Sequence, residues 1–91
     1  MIKAKHLEKL WKYIKDTFEE ELEEVINEFE LDTSRLDVID MLSDDEILDV
    51  ASELVYMVLN GFYSGDFDTM YETLTETIKI PKSVAEELLD W

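Results

Sequence analysis

Apolar residues recur at Leu7, Leu10, Trp11, Ile14, Phe18, Leu22, Val25, Ile26 and Phe29, the three-and-four spacing of one helical face. The pattern predicts one long amphipathic helix from about Lys3 to Phe29, about 40 Å at 1.5 Å per residue, against which shorter helices pack. Asp32, Thr33 and Ser34 then offer capping side chains for a short helix through Leu36, Val38, Ile39, Met41 and Leu42. Ser43 and Glu46 have the spacing of a capping box, so a further helix begins there, with Ile47, Leu48, Ala51, Leu54, Val55, Val58 and Leu59 on its apolar face. Its second half is apolar on nearly every side, which marks it as the central helix. Asn60 and Gly61 suit the left-handed residue that closes a helix.

Ser64, Gly65 and Asp66 supply a turn and a cap, followed by Phe67, Met70, Tyr71, Leu74 and Ile78 at helical spacing. The threonine-rich alternation over residues 73–80 also suits a strand, but Glu76 interrupts its apolar face, which favours a helix. Pro81 fits the first turn of a last helix, Ser83 and Glu86 repeat the capping-box spacing, and Val84, Leu88 and Trp91 form a docking stripe. There is no internal repeat and no low-complexity linker. The expected fold is therefore all-α, a compact bundle of four or five helices with a long N-terminal helix, in one domain spanning residues 1–91.

Composition narrows the chemistry. With 46% hydrophobic residues, the 91-residue chain has enough apolar material for one core. It has no Cys and a single His, which removes disulfides, thiol nucleophiles and the ordinary zinc and iron–sulfur sites. His6 lies among lysines near the start, and no nucleophile elbow or Gly-rich phosphate loop is present, so catalysis and cofactors are not expected. The N-terminal lysines lead into Leu7, Glu8 and Lys9, not into the unbroken apolar run of a secretion signal. The longest apolar run, Leu54 to Leu59, is far short of the ~20 residues that cross a bilayer. A soluble cytoplasmic protein without a membrane partner is expected.

Charge changes the picture most. Asp and Glu number 24 against 8 Lys and Arg, for a formal net charge of −16. Residues 1–15 hold five lysines against Glu8, whereas residues 16–78 hold twenty acids against Arg35 alone. Read as one helix, the N-terminal segment has lysines at its start and Glu28 and Glu30 at its end, opposing the helix dipole at both ends. An acidic field runs through Asp16, Glu19, Glu20, Glu21, Glu23, Glu24, Glu28 and Glu30, roughly one charge per 2.6 Å of helix axis. A DNA strand carries one per ~3.4 Å and the duplex one per ~1.7 Å. Asp45, Asp49 and Glu53 form a second ridge, preceded by Asp37, Asp40 and Asp44. Carboxylates at i and i+4 repel by ~0.2 to 0.5 kcal/mol a pair, so neither row serves helix stability.

In composition, though in no motif, this acidity resembles the small acidic inhibitors that phages direct against restriction or CRISPR nucleases. The resemblance implies a non-enzymatic inhibitor that mimics nucleic-acid phosphates and blocks the basic cleft of a DNA- or RNA-binding protein or nuclease. The expected contact residues are Asp16, Glu19, Glu20, Glu23, Glu24, Glu28, Asp37, Asp40, Asp44, Asp45, Asp49 and Glu53. The same charge argues against direct nucleic-acid binding. The alternative is a helical adaptor or assembly subunit that binds through an apolar surface around Tyr13, Tyr56, Tyr63 or Trp91, its acidity serving solubility.

Three weaker patterns compete with these. The basic start, Lys3 to Lys15, has the form of a membrane-surface helix, yet its apolar face runs on into acidic sequence, which favours core packing. The stretch from Asn60 faintly resembles an EF-hand, with Gly65 in sixth place, but Phe62 and Tyr71 stand at the third and twelfth positions, where oxygen ligands belong. Residues 75–91 resemble the strand and first helix of a ribbon-helix-helix module, without its second helix.

Overall fold

In the computed structural model, which describes residues 1–90, helix α1 spans Ala4–Thr17 and α2 spans Glu19–Phe29. The long N-terminal helix of the sequence reading is thus two helices, parted at Phe18 (φ −116°, ψ 32°). The Phe18 N–H still donates to the Ile14 carbonyl, and its own carbonyl accepts from Glu21 and Leu22. No Pro or Gly marks the break. Instead the Phe18 ring stacks on Phe62 at 4.3 Å and meets Tyr63 edge-on at 6.1 Å, and such aromatic pairs contribute about 0.5 to 1.5 kcal/mol beyond area burial.

The break also adds two favourable placements to the dipole argument. Glu19, Glu20 and Glu21 now occupy the first turn of a helix and Lys15 the last turn of another, each placement stabilising by about 0.3 to 1 kcal/mol. Lys3 and Lys5 at the start of α1 and Glu28 and Glu30 at the end of α2 remain at unfavourable ends. Glu30 is itself left-handed (φ 54°), and the Leu31 N–H closes on the Ile26 carbonyl.

Two short elements replace the expected second helix: α3, Ser34–Asp37, and a 3₁₀ turn, Ile39–Met41. Asp32 accepts from the Ser34 backbone N–H at 3.0 Å and from its hydroxyl, which holds the Asp32 carboxyl below its ordinary value. Helix α4, Asp44–Phe62, is central as expected, burying Leu54, Val55, Met57, Val58 and Leu59 in its second half. The capping box at its start forms in both directions, Glu46 N–H to Ser43 Oγ and Ser43 N–H to the Glu46 carboxylate, each 3.3 Å.

Gly61 does not end α4. The helix runs on to Phe62, and the left-handed residues are Ser64 and Gly65. The role of Gly61 is close approach: a Cβ there would lie 2.5 Å from Val25 Cγ1 and 3.4 Å from the Phe29 ring. A residue without a side chain lets α4 seat against α2.

Asp66 caps helix α5, Phe67–Glu72, accepting from the Thr69 N–H at 3.1 Å and its hydroxyl at 2.7 Å. The segment Thr73–Thr77 is a π-helical turn, so the strand alternative for residues 73–80 is excluded, and no strand occurs among the described residues. That removes the ribbon-helix-helix likeness. The EF-hand likeness fails too, since Asn60 to Phe62 belong to α4 and Tyr71 to α5.

The last helix, α6, spans Lys82–Leu89 with Pro81 as its N-cap, and the expected Ser83–Glu86 capping box does not form. Val84 and Leu88 are buried as the docking stripe requires, while Trp91 lies outside the described residues. The fold is an all-α bundle: α1 packs on α2 and α4, α2 on α4, and α6 on α4 and α5. Leu7, Leu10 and Ile14 meet the α4 residues at its centre.

Candidate acidic surface

All twelve carboxylates expected at the partner contact are solvent-exposed. They do not form one surface of uniform character, because the fold gives the two rows different neighbours.

Helix α2 presents the first row. At about 100° per residue, Leu22, Val25, Ile26 and Phe29 fall within roughly a 100° arc that faces the core. Glu19, Glu20, Glu21, Glu23, Glu24 and Glu28 cover the rest of the cylinder. None of these six makes an ion pair or a side-chain hydrogen bond among the described residues. At the break between α1 and α2, Asp16, Glu19, Glu20 and Glu21 line a depression of about 260 Å³ with Thr17 and Phe18. Asp16 is the exception in charge, since Lys12 Nζ reaches its Oδ2 at 3.1 Å.

Two members of the second row, Asp49 and Glu53, are answered by a cation from within the chain. Arg35 on α3, its side chain 27% exposed, reaches Asp49 at 3.1 Å and Glu53 at 3.7 Å, and donates to the Glu46 carbonyl at 3.4 Å. Asp44 and Asp45 sit in the first turn of α4, where the helix dipole favours them. Asp37 and Asp40 border a cavity of about 200 Å³ together with Trp11, Lys12 and Lys15. Asp40 also faces Glu8, whose carboxyl is raised above its ordinary value by a hydrogen bond shared with Asp40, then by burial and by the Asp40 charge.

The two acidic ridges therefore differ: the α2 row makes no ion pair among the described residues, whereas Asp49 and Glu53 are paired with Arg35. The sequence offered a signal for this in Arg35, its one arginine, but helical spacing alone does not show which turn a lone arginine meets.

The aromatic candidates also separate. Tyr56 is exposed, and its ring meets Phe29 of α2 edge-on at 5.8 Å. Tyr63 is held against Phe18, and burial raises its hydroxyl above the ordinary value. Tyr13 is half-buried against the core, and Trp91 lies outside the described residues. No group of three or more acidic or imidazole side chains able to hold a metal ion occurs among the described residues. No helix among them is long and apolar enough to cross a membrane.

Comparison with known protein families, with curated proteins and with solved structures finds no match to this chain.

Proposed function

We propose that the protein is a non-enzymatic cytoplasmic inhibitor that sets the carboxylate face of α2 into the basic cleft of a nucleic-acid-binding protein or nuclease and excludes its substrate. The observation that carries this reading is the α2 row itself: six glutamates in eleven residues, all exposed, with no ion pair to a cation among the described residues. Their self-repulsion costs stability that a solubilising surface with interspersed lysines would not lose. A basic cleft would offset that cost, since charges compressed on one helix attract counter-charges over a Debye length of ~8 to 10 Å. In this reading the Asp49–Glu53 ridge is mainly structural and α2 makes the contact.

The test is capture of partners from nuclease-treated lysate on tagged protein, with elution by rising salt and competition by DNA or RNA. The expected result is a basic nucleic-acid-binding protein that elutes at moderate salt, is displaced by nucleic acid, and is lost when α2 carries Glu20→Lys with Glu24→Lys. Partners that survive high salt and ignore both nucleic acid and the α2 reversal overturn the proposal. They would support the second reading, an apolar contact, which is favoured by one observation: Tyr56 is 63% exposed beside Phe29.

A further inference from the structure

A second groove lies away from α2, between α5 with its π-helical turn and the start of α6. Its volume is about 680 Å³. The floor is apolar, made by Tyr71, Ile80 and Pro81. Two backbone features build it. Lys79 is left-handed (φ 67°), and the Ile80 N–H closes on the Leu74 carbonyl at 2.9 Å, which turns Ile80 and Pro81 back beside α5. The π-helical turn adds a residue to the helical circuit, with the Thr75 hydroxyl donating to the Tyr71 carbonyl at 3.0 Å.

One wall of the groove carries Asp68, Glu72 and Glu76, four residues apart. None of the three has an ion pair among the described residues. Lys82 is the one cation of the lining. An apolar floor beside an unpaired acidic rail complements a segment that presents an apolar side chain between cationic ones.

We propose that this groove is a docking site for a lysine- or arginine-rich protein segment that places an apolar side chain over Tyr71, Ile80 and Pro81 while its cations meet Asp68, Glu72 and Glu76. The site shares no residue with α2 and stands whether or not α2 is a phosphate mimic.

The experiment is an NMR titration at physiological salt with two amidated lysine-rich peptides of equal length, one carrying two leucines and the other two serines in their place. The leucine peptide should shift the amides of Tyr71, Thr75, Ile80 and Lys82, and should bind at least about tenfold more tightly than the serine peptide, a difference of ~1.4 kcal/mol. Glu72→Lys with Glu76→Lys should weaken it at least about tenfold, whereas Glu20→Lys with Glu24→Lys should change it less than about twofold. Should the double reversal lose helicity, Glu72→Gln with Glu76→Gln serves in its place, with a smaller loss expected. Equal binding of both peptides, shifts centred on α2, indifference to the groove substitutions, or no binding overturns the proposal.

Discussion

Helices α2 and α4 both carry carboxylates one turn apart, Glu20 and Glu24 on one, Asp49 and Glu53 on the other, yet the chain treats them differently. On α4 a half-buried arginine reaches both members of the pair. On α2 no cation comes within ion-pairing distance among the described residues. The difference lies in packing and not in local sequence, because α3 lays Arg35 along α4 and, among the described residues, no cation is laid along α2 in the same way. An acidic row becomes a candidate surface through what the rest of the fold leaves uncompensated. Charge density alone does not separate the two.

The sharpest way to break the comparison is to unseat α2. Gly61→Ala puts a Cβ 2.5 Å from Val25 Cγ1, and the stiff β-branched Val25 cannot rotate away cheaply. Overpacking of this kind costs about 1 to 3 kcal/mol, against about 1 kcal/mol gained by removing glycine from a helix. A net loss is expected in chemical denaturation, together with weakened presentation of the α2 face. Val25→Ala in the same chain should recover part of it. Gly61→Ala at full stability would show that α2 does not rest on that approach.

A smaller effect should turn the second row into a copy of the first. Arg35→Met keeps much of the side-chain volume and removes the cation, so Asp49 and Glu53 stand unpaired like Glu20 and Glu24. Both acids are well exposed, which limits the loss to about 0.5 to 1 kcal/mol. The loss should shrink as salt rises. The matching test on α2, Glu24→Gln, should stabilise by a few tenths of a kcal/mol by relieving repulsion from Glu20 and Glu28. Opposite signs from the two substitutions would uphold the contrast between the rows, and like signs would end it.

Much of this fold is legible from residue spacing, and the places where spacing misleads share a cause. The central helix follows from its apolar run and its Ser43–Glu46 box, because both are local and self-consistent. The single helix from Lys3 to Phe29 does not survive, because Phe18 obeys the helical period in sequence while its ring is claimed by Phe62 and Tyr63 in space. The switch from Lys15 to Glu19 is a usable sign, since a cation followed by acids suits the end of one helix and the start of the next. By propensity Gly61 suits a helix end, whereas its missing side chain serves a contact with a residue 36 positions earlier. The groove over Tyr71 is not legible for the same reason: it depends on a left-handed Lys79 and a π-helical turn, neither of which side-chain periodicity encodes.

A third arrangement of carboxylates supplies the finest test, because Glu8 and Asp40 face each other. Glu8 is raised above its ordinary value of 4.5 by the hydrogen bond with Asp40, by burial and by the Asp40 charge. A carboxyl raised on folding favours the folded state below its unfolded value, and that contribution is lost as pH climbs through the folded value. At neutral pH that contribution is absent, so Glu8→Gln, which keeps a donor toward Asp40 without the charge, should raise stability slightly at pH 7, with the gain vanishing toward pH 4. His6 works in the other direction. Its Nδ1 accepts the Lys3 N–H at 3.0 Å, and burial, Lys5, Lys9, the amino terminus and Lys3 hold it below its ordinary 6.5. Its contribution is full above pH 6.5 and is lost as pH falls through that value toward the folded one. Denaturation curves across pH 4 to 7.5 for the wild type, Glu8→Gln and His6→Gln separate the two, because His6→Gln flattens the upper part of the window and Glu8→Gln the lower. A wild-type profile that neither substitution alters would show that neither group sets the pH dependence of stability.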